Sequence, residues 1–105
     1  MNVDDLKFGP DGLIPAVARC VDTGEVLMVA MMSRESLQAT LREGRAVYWS
    51  RSRQELWRKG DTSGHIQQVR EIYADCDGDC LLLQVRQTGP ACHTGTRSCF
   101  FNKIA

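Results

Sequence analysis

The sequence predicts an α+β fold, an antiparallel sheet with barrel-like closure and one main helix, and three observations carry that prediction. Asp22-Thr23-Gly24 is a hairpin turn signal between two apolar runs. Ser33 and Gly44 bracket a single amphipathic stretch. Beyond it, short apolar runs alternate with turn-forming segments to the end of the chain.

The polar segment Asp4–Gly12 reads as a loop leading into a first strand, Leu13–Cys20. Pro15 has no N–H to give to a ladder, so it marks an edge or a bulge. The second strand, Glu25–Met32, is almost continuously apolar and is expected to be buried on both faces. Ser33 suits a helix N-cap and Gly44 the residue just past the helix end. Between them Leu37 and Leu41 lie four apart, share one face and are expected to pack on the sheet. Ala46–Ser50 reads as a strand, Arg51–Gln54 as a turn, Glu55–Lys59 as a short strand and Gly60–Gly64 as a loop. Ile66–Tyr73 is a strand with imperfect alternation, Asp75–Asp79 an acidic turn and Leu81–Val85 a strong strand. Thr88–Ser98 is a loop, and Cys99–Phe101 a short apolar end.

The 105 residues amount to one domain, 1–105, with no internal repeat or linker. Lys+Arg and Asp+Glu both number 13, so there is no bulk attraction to nucleic acid or an anionic membrane. A phosphorylated small molecule needs only a local basic cluster and stays open. Met1–Lys7 is acidic without an apolar signal core, and Val26–Met32 is too short to span a bilayer, so a cytoplasmic protein is expected. Cys20, Cys76, Cys80, Cys92 and Cys99 make an odd set that argues against a disulfide scaffold.

Three segments carry chemistry. In Asp75-Cys76-Asp77-Gly78-Asp79, three carboxylates alternate within five residues. On one face of an extended segment they repel unless a cation sits among them, and carboxylate oxygen suits Mg²⁺. A solvated acidic turn is the competing reading, since Asp and Gly both favour turns. In Cys92-His93-Thr94-Gly95-Thr96-Arg97-Ser98-Cys99, two thiols and a histidine share a loop. With Cys76, separated from Cys92 by fifteen intervening residues, they make three candidate thiolates. A zinc with three protein ligands keeps a fourth position for water and lowers that water's pKa towards about 7. Buried free cysteine is the alternative for this cluster, and core packing is the reading favoured for Cys20 and Cys80. His93 and His65 are candidate general acids or bases, or plain surface residues.

The third segment groups Trp49, Ser50, Arg51, Ser52 and Arg53 with Trp57, Lys59, Thr62 and Ser63. Guanidinium forks, hydroxyls and loop N–H groups are phosphate partners. An aromatic can stack on a base, although core packing is the commoner use of a tryptophan. A solvated basic hairpin is the alternative for the cations.

The runs Tyr48–Arg53, Glu55–Gly60, Thr62–His65, Asp75–Asp79 and Gln87–Gly95, in that order, resemble the phosphoribosyl-AMP cyclohydrolase family. The resemblance extends from about Leu13 to Phe101. It implies hydrolytic opening of the adenine ring of phosphoribosyl-AMP in histidine biosynthesis. Water adds to C6, the N1–C6 bond breaks, and the product is an imidazole carboxamide with a formimino link to the second phosphoribosyl group. It implies zinc, one per subunit, on Cys76, Cys92 and Cys99, and magnesium on Asp75, Asp77 and Asp79. It also implies an intertwined homodimer whose zinc site is assembled across the subunit interface. The pyrophosphohydrolase domain fused to some members is not expected here. The alternative from another class is a small zinc-stabilised module binding a nucleotide or an RNA end, motivated by the Trp/Arg/Ser stretch. A dithiol redox protein would want a C-x-x-C motif, which the chain lacks.

Overall fold

The computed structural model describes residues 1–105. After a single 3-10 turn at Val3–Asp5, β1 (Leu13–Cys20) and β2 (Val26–Ser33) form an antiparallel hairpin, with Leu13 opposite Ser33 and Ala16 opposite Ala30. Gly24 closes the turn at φ 79°, a conformation that glycine adopts without a Cβ penalty. The helix α1 (Arg34–Glu43) follows directly. Its cap is reciprocal: the Ser33 hydroxyl accepts from Ser36 N at 3.1 Å, and Ser33 N donates to the Ser36 hydroxyl at 2.9 Å. Gly44 ends the helix in the left-handed region at φ 74° and donates to Thr40 O.

The hairpin β3 (Val47–Ser50) and β4 (Glu55–Arg58) comes next, then β5 (Gln67–Ala74) and β6 (Leu81–Gln87), also antiparallel. The sheet order is β4-β3-β2-β1-β6-β5. One feature departs from the expected antiparallel sheet: β6 runs parallel to β1, with Ala16 opposite Leu81 and Cys20 opposite Val85. Parallel neighbours need a long connection, and residues 21–80 supply it. The sheet is therefore mixed, and it curls. Ala46 N donates to Gln67 O and Val69 N to Gly44 O, which ties the segment before β3 to β5 and gives a half-barrel.

Three local expectations are corrected. Pro15 lies in an interior strand, but β6 begins to pair only at Ala16, so the missing N–H costs no ladder bond on that side; the irregularity sits between Ala18 and Arg19. The second strand is not buried on both faces, because Val26 and Val29 are 42% and 48% exposed while Leu27 and Met32 are fully buried. The core of this chain covers only one side of it. Leu37 packs in the core but Leu41 is 57% exposed. The buried residues of α1 are Ser36, Leu37, Ala39 and Thr40, and Thr40 is locked down by its hydroxyl, which accepts from Val47 N at 2.9 Å and reaches Ser36 O at 2.9 Å.

Ile14, Leu27, Met32, Leu83 and Val85 fill the space inside the curl. Tyr48 crosses it, and its hydroxyl donates to Gln67 Oε1 at 2.6 Å while Gln67 Nε2 donates to Gln87 Oε1 at 2.8 Å. These buried polar groups thus satisfy one another. No helix is long and apolar enough to cross a membrane.

Candidate active site

A cleft of about 590 Å³ opens where the end of β4 meets the loops after β4 and β6. Trp57, Lys59, Thr62, Ser63, His65, Cys92 and His93 are among its walls. The first loop is folded back tightly at Gly60, whose φ is 88°. A Cβ there would lie 2.5 Å from Ile66 N, so only glycine allows the return. Gly64 N donates to Gly60 O at 2.7 Å and Thr88 N to Ile66 O at 3.0 Å, which brings His65 to the start of the second loop. There its imidazole rests on Gly89.

The second loop is a small hairpin of its own. Ala91 N donates to Arg97 O and Cys92 N to Thr96 O, and Cys99 N then donates to Leu27 O at 2.7 Å. This fold-back sets Cys99 beside Cys92. The Thr94 hydroxyl donates to Cys92 Sγ at 3.0 Å. That bond leads a set of donors, the Thr94 N–H and the Cys99 thiol among them, that pull the Cys92 thiol down to about 6. Burial, followed by the neighbouring Cys92, pushes Cys99 up. Cys92 is therefore a thiolate at neutral pH, with a second sulfur at its side.

Lys59, expected to face a phosphate, lines the cleft from beneath the loop, 7% exposed, with its ammonium donating to Ala91 O at 2.6 Å and 5.4 Å from the centre of the Trp57 ring. Burial lowers its pKa, and the nearby Cys99 and Cys92 partly restore it. The other basic and hydroxyl residues divide in two. Arg53, Thr62 and Ser63 line the main cleft, whereas Trp49, Ser50, Arg51 and Ser52 line an adjoining one of about 410 Å³ with Val29 and Met31. Trp57 belongs to both.

Asp75, Asp77 and Asp79 come together in the turn between β5 and β6, each with a carboxylate oxygen within 4.8 Å of the others. The segment is a turn rather than an extended strand, so the convergence comes from the bend. Gly78, at φ 72°, makes it, and Asp79 N donates to Asp75 Oδ1 at 3.1 Å. A shared proton with Asp75, and then its charge, raise the Asp79 carboxyl. Burial works against Asp75, but N–H donors from Asp79, Gly78 and Cys80 leave it lowered. Cys80 is half-buried, and burial, followed by the Asp75 and Asp79 charges, raises its thiol.

Cys76 stands exposed in this same acidic turn. The seven residues of β6 separate it from the loop that holds Cys92, a span of about 20 Å at the rise of a strand. One chain thus pairs Cys92 with Cys99 but leaves Cys76 apart from them. No role for Thr94 or Arg97 was read from the sequence, and Gly89 was expected only to allow a tight bend. The C-x-T spacing at Cys92 and Thr94 was a usable signal for the first, because a hydroxyl two residues on can reach back to its neighbour.

A family model described as phosphoribosyl-AMP cyclohydrolase matches residues 28–101. A phosphoribosyl-AMP cyclohydrolase of Micrococcus luteus is 66% identical over 98 residues, covering 93% of this chain and 78% of the relative. One from Rhodospirillum centenum is 62% identical over 100 residues, covering 95% of this chain and 75% of the relative. The chain belongs to the phosphoribosyl-AMP cyclohydrolase family. The two donor sets of this chain differ in chemistry. The Cys92–Cys99 pair offers soft sulfur, already ionised at Cys92, and fits zinc. The Asp75, Asp77 and Asp79 oxygens, crowded and mutually repelling, fit a hard ion such as magnesium.

Proposed function

We propose that this chain hydrolyses the N1–C6 bond of the adenine ring of phosphoribosyl-AMP, giving the formimino imidazole carboxamide ribonucleotide of histidine biosynthesis. The observation that carries it is one cleft lined by the Cys92 thiolate, His65 and His93 in a chain of this family. Family membership sets aside the nucleotide- or RNA-binding module. The cytoplasm suits a reaction on a phosphorylated soluble metabolite.

Ribosylation at N1 leaves the ring cationic, so C6 is electrophilic. Water adds there, C6 keeps the oxygen and its exocyclic nitrogen as a carboxamide, the bonding pair returns to N1 with one of the water's protons, and the other proton leaves to solvent with the ring's positive charge. His65 and His93, both in the cleft wall, would take a proton from water and deliver one to N1. Arg53, Thr62 and Ser63 offer donors to phosphate in the main cleft, and Ser50, Arg51 and Ser52, beside Trp49, do so across Trp57. Lys59 supports this arrangement from below by holding the Ala91 carbonyl.

Cys92 and Cys99 would hold zinc with Cys76 of the partner subunit, while Asp75, Asp77 and Asp79 would hold magnesium. When bound, zinc supplies Lewis acidity that makes water a nucleophile at neutral pH, and magnesium offsets the charge of the acidic turn. The homodimer is supported by the isolation of exposed Cys76 from the other two thiols. Val26, Val29, Phe100 and Phe101, each between 42% and 63% exposed, are apolar surface for a second copy to cover.

The test follows ring opening by ultraviolet absorbance with phosphoribosyl-AMP, zinc-loaded protein and added magnesium, before and after chelation. Turnover should vanish on chelation and return with metal. A folded, zinc-replete dimer with no turnover would overturn the proposal. Cys92→Ala should lose both zinc and activity, and full activity in a zinc-free Cys92→Ala protein would remove Cys92 from its assigned role.

A further inference from the structure

We infer that Arg97, seated on Glu25 and Cys20, is a positioning residue that sets the zinc affinity of the Cys92–Cys99 pair. The inference rests on the reading of those two cysteines as ligands. The loop that carries them is closed upon itself by Ala91 N to Arg97 O and Cys92 N to Thr96 O, so it would hang from β6 as a free hairpin without an anchor. Lys59 holds its Ala91 end, and the turn and start of the β1–β2 hairpin anchor the rest. Ser98 Oγ donates to Val26 O at 2.8 Å and Cys99 N to Leu27 O at 2.7 Å. These bonds hold the Cys99 end.

Between the two thiols, Arg97 joins Ser98 in leaving the loop to grip that hairpin, and it does so with a charged side chain. Its Nε donates to Glu25 Oε1 at 2.9 Å and its Nη2 to Cys20 Sγ at 3.2 Å. Cys20, 2% exposed at the end of β1, is thereby more than core filling: it is a fixed acceptor whose position the sheet determines. The Arg97 carbonyl in turn accepts from Ala91 N, one residue before Cys92. A continuous path of bonds runs from Glu25 and Cys20 through Arg97 to both cysteines. Groups that orient metal ligands without touching the metal typically carry roughly 10–100-fold in affinity. The Arg97–Glu25 pair is 44% and 42% exposed and so partly screened, which sets the expectation at the low end, roughly tenfold.

The experiment measures the zinc dissociation constant of the full chain by competition with a chromophoric chelator, with thermal unfolding of the metal-free protein alongside. Arg97→Gln should weaken zinc roughly tenfold, and Arg97→Lys, which keeps the Glu25 pair, by less. Glu25→Gln should weaken it too, and the double variant should be no worse than Arg97→Gln alone, because both break one path. Wild-type affinity in a folded Arg97→Gln protein overturns the inference. So does a fall in melting temperature with zinc affinity unchanged, which would make the contact merely structural. If Arg97→Gln does not fold, Glu25→Gln decides by itself, and wild-type affinity there counts against the clamp. A wild-type chain without stoichiometric zinc would instead refute the reading of Cys92 and Cys99 as ligands, and the inference with it.

Discussion

A methyl group added at residue 89 meets the imidazole of His65. In Gly89→Ala the new Cβ would lie 2.7 Å from His65 Cδ2 and 3.1 Å from Nε2, whereas ordinary contact begins at 3.4 Å. The ring must therefore retreat by 3.4 − 2.7 = 0.7 Å, and it is the part that can move, since Gly89 is held in the chain between β6 and the cysteine loop. The backbone adds a separate cost, because φ at residue 89 is +68° and an alanine there loses about 1–2 kcal/mol. For a domain of this size that strain lowers the melting temperature by roughly 4–16 °C. The displacement of His65 acts on the chemistry instead. Misplacing a reacting group by about 1 Å can cost on the order of 100-fold, so kcat should fall roughly 10–100-fold. KM should change by less than about threefold, because the ring is asked to move a proton and not to bind phosphate. The assay is steady-state ring opening by ultraviolet absorbance below the new melting temperature, beside His65→Gln and the double variant. The double variant should be no slower than His65→Gln alone. Unchanged kcat with the expected drop in melting temperature would refute the reasoning and leave His93 as the proton carrier.

Other perturbations separate the remaining parts of the site. Asp77→Asn removes one of three converging carboxylates, so the magnesium concentration for half-maximal activity should rise while zinc content stays constant; an unchanged magnesium response would count against the acidic turn as a metal site. In metal-stripped protein, alkylation of Cys92 by iodoacetamide should have its midpoint near pH 6, while Cys99 reacts at higher pH, as peptide mass spectrometry can read. Because the folded thiol sits at about 6 against an ordinary 9.0, the contribution of Cys92 to stability is full above pH 9, declines as pH falls and is gone below about 6. A midpoint near the ordinary thiol value would remove the Thr94 bond as its cause. Tyr48→Phe strips the 2.6 Å bond from buried Gln67 Oε1 and should cost about 1–3 kcal/mol in urea unfolding, with zinc content unchanged; an unaltered midpoint would mean that Gln67 finds another partner.

Much of this protein was legible in local order. The Ser33 cap, the Gly44 stop, the Asp22-Thr23-Gly24 turn and the strand beginning at Leu13 are properties of neighbouring residues, whose dihedral preferences and hydrogen bonds act within a few positions. The Asp75–Asp79 turn was equally local, and the five runs of residues carried the family resemblance that the comparisons bear out. Only the tertiary structure decided which distant segments meet. The parallel pairing of β6 with β1 depends on a 60-residue excursion of the chain, and no periodicity encodes a partner at that range. The exposure of Leu41 and Val29 depends on where the sheet stops covering them, not on their hydrophobicity. The same holds in the site. Cys76, Cys92 and Cys99 look alike in sequence, but β6 runs between the first and the second while a fold-back joins the second to the third. Lys59 looks like any surface cation until the return of the chain to Ala91 buries it. Local chemistry follows from residue type, and who faces whom follows from how the sheet curls, because a contact between remote residues forms only when the packing of everything between them allows it.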